Sequence, residues 1–139
     1  MSSICTILGN ERAEIVRLGE IAERFGAAER LTDDEVMGIN LVLDEVVTNI
    51  IDYGYDDADR HEIRVTMTCE GNVLTIEVDD DARAFDPLAA PPPDLDLPLE
   101  ERPIGGLGIH IVRSVMNDVE YQRRDGHNIL TMRKTIGRT

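Results

Sequence analysis

Residues 31–54 read LTDDEVMGINLVLDEVVTNIIDYG, and the reading of the fold turns on them. Thr32 followed three residues later by Glu35 has the pattern of a capping box, in which each side chain satisfies an unpaired N–H of a first helical turn. A helix is expected from there to about Tyr53-Gly54. Val36, Met37, Ile39, Leu41, Val42, Leu43, Val46, Val47, Ile50 and Ile51 make it apolar around most of its circumference. Glu45, Thr48, Asn49 and Asp52 stand at i, i+3, i+4 and i+7, which gathers them into one narrow polar stripe. Burying a carboxylate and an amide without partners is expensive, so the stripe must face water, a ligand or a compensating network. An ordinary exposed face on a core helix is the bland alternative.

On the N-terminal side, Ile15, Val16, Leu18, Ile21, Ala22 and Phe25 recur near a period of 3.6, which predicts an amphipathic helix over Glu11 to Phe25 with Gly26 at its end. On the C-terminal side, Ile63, Val65, Met67 and Cys69 alternate with polar residues, Glu70-Gly71-Asn72 is a turn signal, and Leu74, Ile76 and Val78 alternate again. This predicts an antiparallel hairpin ending near Asp79. All six prolines fall between Pro87 and Pro103, a long loop in which the periodicity dissolves. Gly105-Gly106-Leu107-Gly108 then opens a third helix, with Ile109, Val112, Val115 and Met116 on one side. A last hairpin places Val119 and Tyr121 before an Asp125-Gly126 turn and Leu130 and Met132 after it. The expected fold is a single α+β domain over residues 1–139, a two-layer sandwich with helices on one face of a mostly antiparallel sheet.

Charge narrows the function. With 28 acidic against 14 basic residues the formal net charge is −14, which repels nucleic-acid backbones and anionic lipid headgroups. Nine acids lie between Glu77 and Glu101, and the segment after Tyr121 is Arg-rich, a polarity that suits a basic protein partner as well as a solvated acidic face. No eighteen-residue apolar run and no signal-peptide pattern occur, so a soluble, cytoplasmic protein is expected. Cys5 and Cys69 lie far apart with no metal-ligand spacing and read as small buried hydrophobes. The sole lysine, Lys134, is near the C-terminus, so a P-loop or a kinase-type strand lysine has no candidate here.

Two further clusters could carry chemistry. Asp79-Asp80-Asp81 sit where a strand ends, and a carboxylate there can accept a hydrogen bond from an exocyclic amine or help hold a cation. The glycines at 105, 106 and 108 let backbone N–H groups at a helix start approach a phosphate. A solvated acidic turn and an ordinary helix start are the structural alternatives.

Taken in order, Glu-x-x-x-Asn on a helix, Asp at a strand end followed by Phe-Asp-Pro, a flexible loop and a Gly-rich helix start resemble the GHKL superfamily with the Bergerat ATP-binding fold, most closely its anti-sigma-factor serine-kinase branch. The resemblance covers about Glu11 to Lys134. It implies that Glu45 is the general base and that Asn49 coordinates the magnesium that bridges the ATP phosphates. It implies that Asp80, five before Phe85, reads the adenine amino group, and that Gly106 and Gly108 close over the phosphates. The implied nucleotide site comprises Asn49, Asp80, Ala82, Phe85, Gly105, Gly106, Leu107 and Gly108, with an ATP lid at about 82–104. The family usually has glycine at the position of Ala82; if the backbone there needs positive φ or close approach to the nucleotide, alanine costs on the order of 1 kcal/mol or more.

The implied activity is transfer of the ATP γ-phosphoryl group to a serine of a STAS-type anti-anti-sigma protein, in a partner switch that can also engage a sigma factor. A homodimer is usual in the family. A self-phosphorylating histidine kinase is disfavoured, because no helical hairpin with a phosphoacceptor histidine precedes the ATP domain; His61, His110 and His127 read as incidental. A non-catalytic binding module of the same fold, favoured by Ala82 and opposed by the Glu45/Asn49 pair, stays open as the alternative.

Overall fold

The computed structural model describes residues 1–89 and 106–137. The elements run β1 (Ser2–Gly9), α1 (Ala13–Ala28), α2 (Asp33–Tyr53), β2 (Glu62–Glu70), β3 (Val73–Asp80), a single 3-10 turn (Pro87–Ala89), α3 (Gly106–Val115), β4 (Asp118–Arg124) and β5 (His127–Thr135). The strands form one sheet in the order β1-β2-β3-β5-β4, every pair antiparallel. The α+β expectation holds, with a sheet that is wholly antiparallel.

The capping box forms as read. The Glu35 backbone N–H donates to Thr32 Oγ1 at 3.1 Å, and the Thr32 backbone N–H donates to Glu35 Oε1 at 2.8 Å. The other oxygen of Glu35 accepts from the Gly137 N–H at 2.9 Å, so the start of α2 also anchors the chain after β5. Gly26 does not end α1. The helix runs past it to Ala28 and stops in a Schellman motif, with Arg30 at φ 59°, the Arg30 N–H donating to the Ala27 carbonyl and the Leu31 N–H to the Gly26 carbonyl. Gly26 serves packing instead: a Cβ there would sit 2.6 Å from Val36 Cγ2, so glycine lets α1 lie close against α2.

The inward positions of the strands fill one core with the helices. Ile63, Val65, Met67 and Cys69 of β2, Leu74, Ile76 and Val78 of β3, and Leu130 and Met132 of β5 are buried together with Leu18, Ala22 and Phe25 of α1 and Val42, Leu43 and Val47 of α2. Val112 and Met116 seal the C-terminal side. At the β4–β5 turn Asp125 and Gly126 have φ 53° and 80°, the left-handed pair that a two-residue hairpin requires.

Strand β1 has no counterpart in the sequence reading. It pairs along its whole length with β2, from Ser2 opposite Cys69 to Gly9 opposite Glu62. Leu8 points to the core, whereas Cys5 and Ile7 lie on the outer face, so the strand shows little polar alternation to detect. Cys5 is consequently exposed, opposite to the buried position expected for it, while Cys69 is buried as expected. No helix among the described residues is long and apolar enough to cross a membrane.

Candidate functional site

A cavity of about 320 Å³ opens between the C-terminal half of α2, the end of β3, the segment that follows it, and β5. Glu45, Asn49, Asp80, Ala82 and Phe85 all line it, although they come from two separate stretches of the sequence. Antiparallel pairing explains part of this convergence, since Asp80 at the end of β3 stands directly opposite Asn128 at the start of β5.

The polar stripe of α2 divides. Asp52 forms an ion pair with Arg12 at 2.6 Å, and the Thr48 hydroxyl donates to Asp44 Oδ1 at 3.5 Å. Glu45 and Asn49 face the cavity half-buried, with no hydrogen bond or ion pair among the described residues. One carboxylate and one amide are therefore presented together, unspent, on a wall completed by Val46, Ile50, Tyr53 and Gly54.

Asp80 is 4% exposed and is held by a network that the sequence reading did not contain. Its Oδ1 accepts from the Ala82 backbone N–H and from Asn128 Nδ2, both at 3.0 Å. Both bonds converge on one oxygen, which leaves Oδ2 without a hydrogen bond among the described residues. Burial raises the Asp80 pKa above the ordinary carboxylate value, opposed by the Asn128 and Ala82 hydrogen bonds and reinforced by the charges of Asp79 and Asp81. Asn128, 7% exposed, also donates to the Arg83 carbonyl at 2.9 Å, and its Oδ1 accepts from the Tyr121 hydroxyl at 2.6 Å and Arg123 Nη1 at 3.1 Å. The signal for Asn128 was its place two residues before Leu130 and four before Met132, an inward position occupied by an amide.

Ala82 does not carry positive φ; among the described residues only Arg30, Asp125 and two glycines do. It is buried, and its Cβ points at Gly54, where an added Cβ would come within 2.7 Å of it. The alanine is accommodated by the glycine facing it, and it carries no left-handed backbone strain. Arg83 then ties the segment to the end of α2: its backbone N–H donates to the Gly54 carbonyl at 3.0 Å and its guanidinium to the Tyr53 carbonyl, an unpaired group of the last helical turn. Phe85 lies at the cavity mouth, 46% exposed, with its N–H on Asn128 Oδ1 at 3.4 Å.

Gly106, Leu107 and Gly108 form the first turn of α3, which sends Ile109 and Val112 into the cavity wall. Gly105 and the part of the expected lid from 90 to 104 lie outside the described residues. Lys134 is committed elsewhere, its ammonium donating to the Val115 carbonyl at the end of α3 at 3.0 Å. No cluster of three or more His, Cys, Asp or Glu side chains suited to a metal occurs among the described residues. Asn49 nevertheless offers a hard amide oxygen beside the Glu45 carboxylate, which fits a magnesium ion that takes most of its ligands from water and phosphate.

Residues 9–134 match the family model of the histidine kinase-like ATPase domain. The chain is 30% identical over 112 residues to a serine/threonine-protein kinase, BtrW, of Bordetella bronchiseptica, covering 81% of this chain and 75% of that protein. It is 30% identical over 134 residues to the serine-protein kinase RsbW of Bacillus thuringiensis, covering 92% and 80%. Among solved structures it superposes on that of the RsbU and RsbW domains of Rv1364c from Mycobacterium tuberculosis with TM-score 0.73 at 13% identity, over all of this chain and 34% of that one. The SiaB–SiaC complex from Pseudomonas aeruginosa follows with TM-score 0.59 at 17% identity, over 96% and 89%.

Proposed function

The chain belongs to the histidine kinase-like ATPase domain family, and from that premise we propose that it is an ATP-dependent serine-protein kinase that acts on a small protein antagonist in an anti-sigma partner switch. The observation that carries the reading is the pair Glu45 and Asn49, both directed into the cavity and both without partners among the described residues. The names of the two kinases at 30% identity support the same class of reaction.

In this reading Asp80 receives the adenine amino group on Oδ2, while Val78, Ile50 and Leu130 pack against the ring. Asn128 fixes Asp80 in orientation by holding its other oxygen, and this hydrogen bond favours the ionised carboxylate against the effect of burial. The backbone N–H groups of the first turn of α3 meet the phosphates with the positive end of the helix dipole. Asn49 contributes its amide oxygen to magnesium, which when bound neutralises charge on the phosphates. Glu45, four residues earlier on the same face of α2, accepts the proton of the attacking serine hydroxyl. The chain uses no lysine in this chemistry, in keeping with Lys134 at the far end of α3.

The acidic surface, with net charge −14, favours a partner that offers basic residues around its serine. We assign the protein to the cytoplasm as a homodimer that binds a sigma factor when it is not engaged with the antagonist. Incubation with labelled ATP, magnesium and the antagonist tests the reading: phosphoserine on the antagonist supports it, and ATP binding without transfer refutes the kinase and leaves a nucleotide-binding regulator.

A further inference from the structure

His61 was expected to be incidental, yet it is the centre of a side-chain cluster beside the cavity. Its ring stacks on Tyr55, with centroids 4.1 Å apart and planes inclined by 13°. Nε2 meets Asp57 Oδ1 at 2.7 Å, and Nδ1 meets Asp81 Oδ2 at 3.2 Å. The Tyr55 hydroxyl donates to the other oxygen of Asp81 at 3.3 Å. Both oxygens of Asp81 are thus gripped from the loop that leaves α2, and Asp81 lies between the two cavity residues Asp80 and Ala82.

A neutral imidazole has one N–H and one lone pair, so it can donate to only one of two flanking carboxylates and must turn its lone pair on the other. Only the imidazolium donates to both. The other groups around the ring do not replace it. Asp56 pairs with Arg83 at 3.4 Å, Asp79 is engaged by His127 at 2.6 Å, and Asp80 is buried against Asn128. Arg60 lies toward Gly9 and Glu14. Asn10, from the β1–α1 connection, accepts from the backbone N–H of His61 at 3.0 Å and donates to the Asp59 carbonyl at 3.4 Å, and does not meet the imidazole.

We propose that protonated His61 is a positioning residue for the nucleotide pocket: it clasps the loop after α2 to the end of β3, and so makes ATP affinity fall as pH rises through the neutral range. This rests on the nucleotide reading of the cavity. The two walls that the clasp joins carry Tyr53 and Gly54 on one side and Asp80 and Ala82 on the other, all cavity-lining. Hydrogen bonds donated to Asp57 and then to Asp81 raise the imidazole pKa above its ordinary value, which extends the protonated form towards neutral pH.

The test is a titration of the whole chain with ATP and magnesium at a series of pH values between about 6 and 9, for the parent and for His61→Ala, His61→Arg and Asp57→Asn. The ratio of parent to His61→Ala affinity cancels the titration of ATP itself. That ratio should be about fivefold at the acid end and decline towards one at the alkaline end, which is the scale of one exposed charge-assisted contact. His61→Arg, a permanent two-sided donor, should hold the tight affinity at all pH values, and Asp57→Asn should move the midpoint to lower pH. A parent that binds ATP with the same affinity ratio at every pH, or an unmoved midpoint in Asp57→Asn, overturns the clasp and leaves the ATP site standing. A parent that binds no ATP at any pH overturns both.

Discussion

Asp80→Asn separates what the fold needs from what the nucleotide needs. The Ala82 N–H and Asn128 Nδ2 both aim at Oδ1, so an asparagine must turn its carbonyl oxygen towards them and its NH₂ into the cavity. Both structural hydrogen bonds survive, and a buried charge beside Asp79 and Asp81 disappears. The sign follows from the raised pKa of Asp80: a carboxyl whose folded pKa lies above its unfolded value stabilises the fold when protonated, and that contribution is lost as pH rises through the folded pKa. At pH above the unfolded pKa this carboxyl therefore burdens the fold, and Asp80→Asn should melt at or above the parent's temperature. Nucleotide binding should go the other way. In the proposed reading the carboxyl acceptor for the adenine amino group is replaced by a donor facing a donor, a loss of about 1.5–3 kcal/mol or more, which corresponds to roughly 10- to 150-fold in Kd. Inosine triphosphate, which presents a carbonyl where ATP presents the amine, should lose less or gain. Calorimetric titration with the two nucleotides, alongside thermal melting, reads both effects. An ATP affinity within about twofold of the parent, with no change in ATP-over-ITP preference, would refute the assignment of Asp80 as adenine reader.

Other perturbations follow from the same geometry. Ala82→Gly removes a buried methyl group and loosens the unfolded chain, so urea denaturation should show a loss of about 1–2 kcal/mol, with no tightening of ATP binding. Gly54→Ala should cost about 1–3 kcal/mol, because its Cβ would meet Ala82 Cβ at 2.7 Å and the Ile50 carbonyl at 2.5 Å; the double variant with Ala82→Gly should recover only the first part, as a favourable coupling in the cycle. Asn128→Asp brings a second carboxylate against Asp80, so its stability deficit should grow as pH is raised from about 4 to 7 in equilibrium unfolding. Glu14, held to a pKa of about 2 chiefly by the Arg17 guanidinium and then by the Gly9 N–H, lends stability that is present above its ordinary pKa and lost as pH falls through the folded value. Glu14→Gln should flatten that acid limb of the stability curve. Thr32→Ala should lower stability by about 1 kcal/mol through the lost cap, read as a shifted denaturation midpoint.

What was legible in the sequence was what depends on local spacing. The capping box at Thr32 and Glu35, the i, i+4 pair Glu45 and Asn49, the alternation of β2 and β3, and the Asp125-Gly126 turn each follow from one element's own geometry. What failed depended on a partner elsewhere. Gly26 read as a helix end because glycine usually marks one, but its role was set by Val36 on the neighbouring helix. β1 escaped because Ser3 is the one polar residue on its outer face, beside Cys5 and Ile7. Asn128 and His61 were silent because their meaning lies in carboxylates 48 and 20 residues away, and only the fold brings Asp80 and Asp81 to them. Ala82 looked like a defect against the family pattern. Facing Gly54 it is a fitted contact.

The proposal that Glu45 and Asn49, unpartnered among the described residues, divide the work of phosphoryl transfer is met most directly by one measurement: labelled phosphate transferred from ATP to a serine of the antagonist by the parent, Glu45→Ala and Asn49→Ala, with nucleotide affinity measured on the same samples. The parent should transfer, Glu45→Ala should bind ATP within about twofold of the parent yet transfer nothing detectable, and Asn49→Ala should lose magnesium-dependent binding itself. Transfer by Glu45→Ala at the parent's rate, or binding without transfer by the parent, would contradict it.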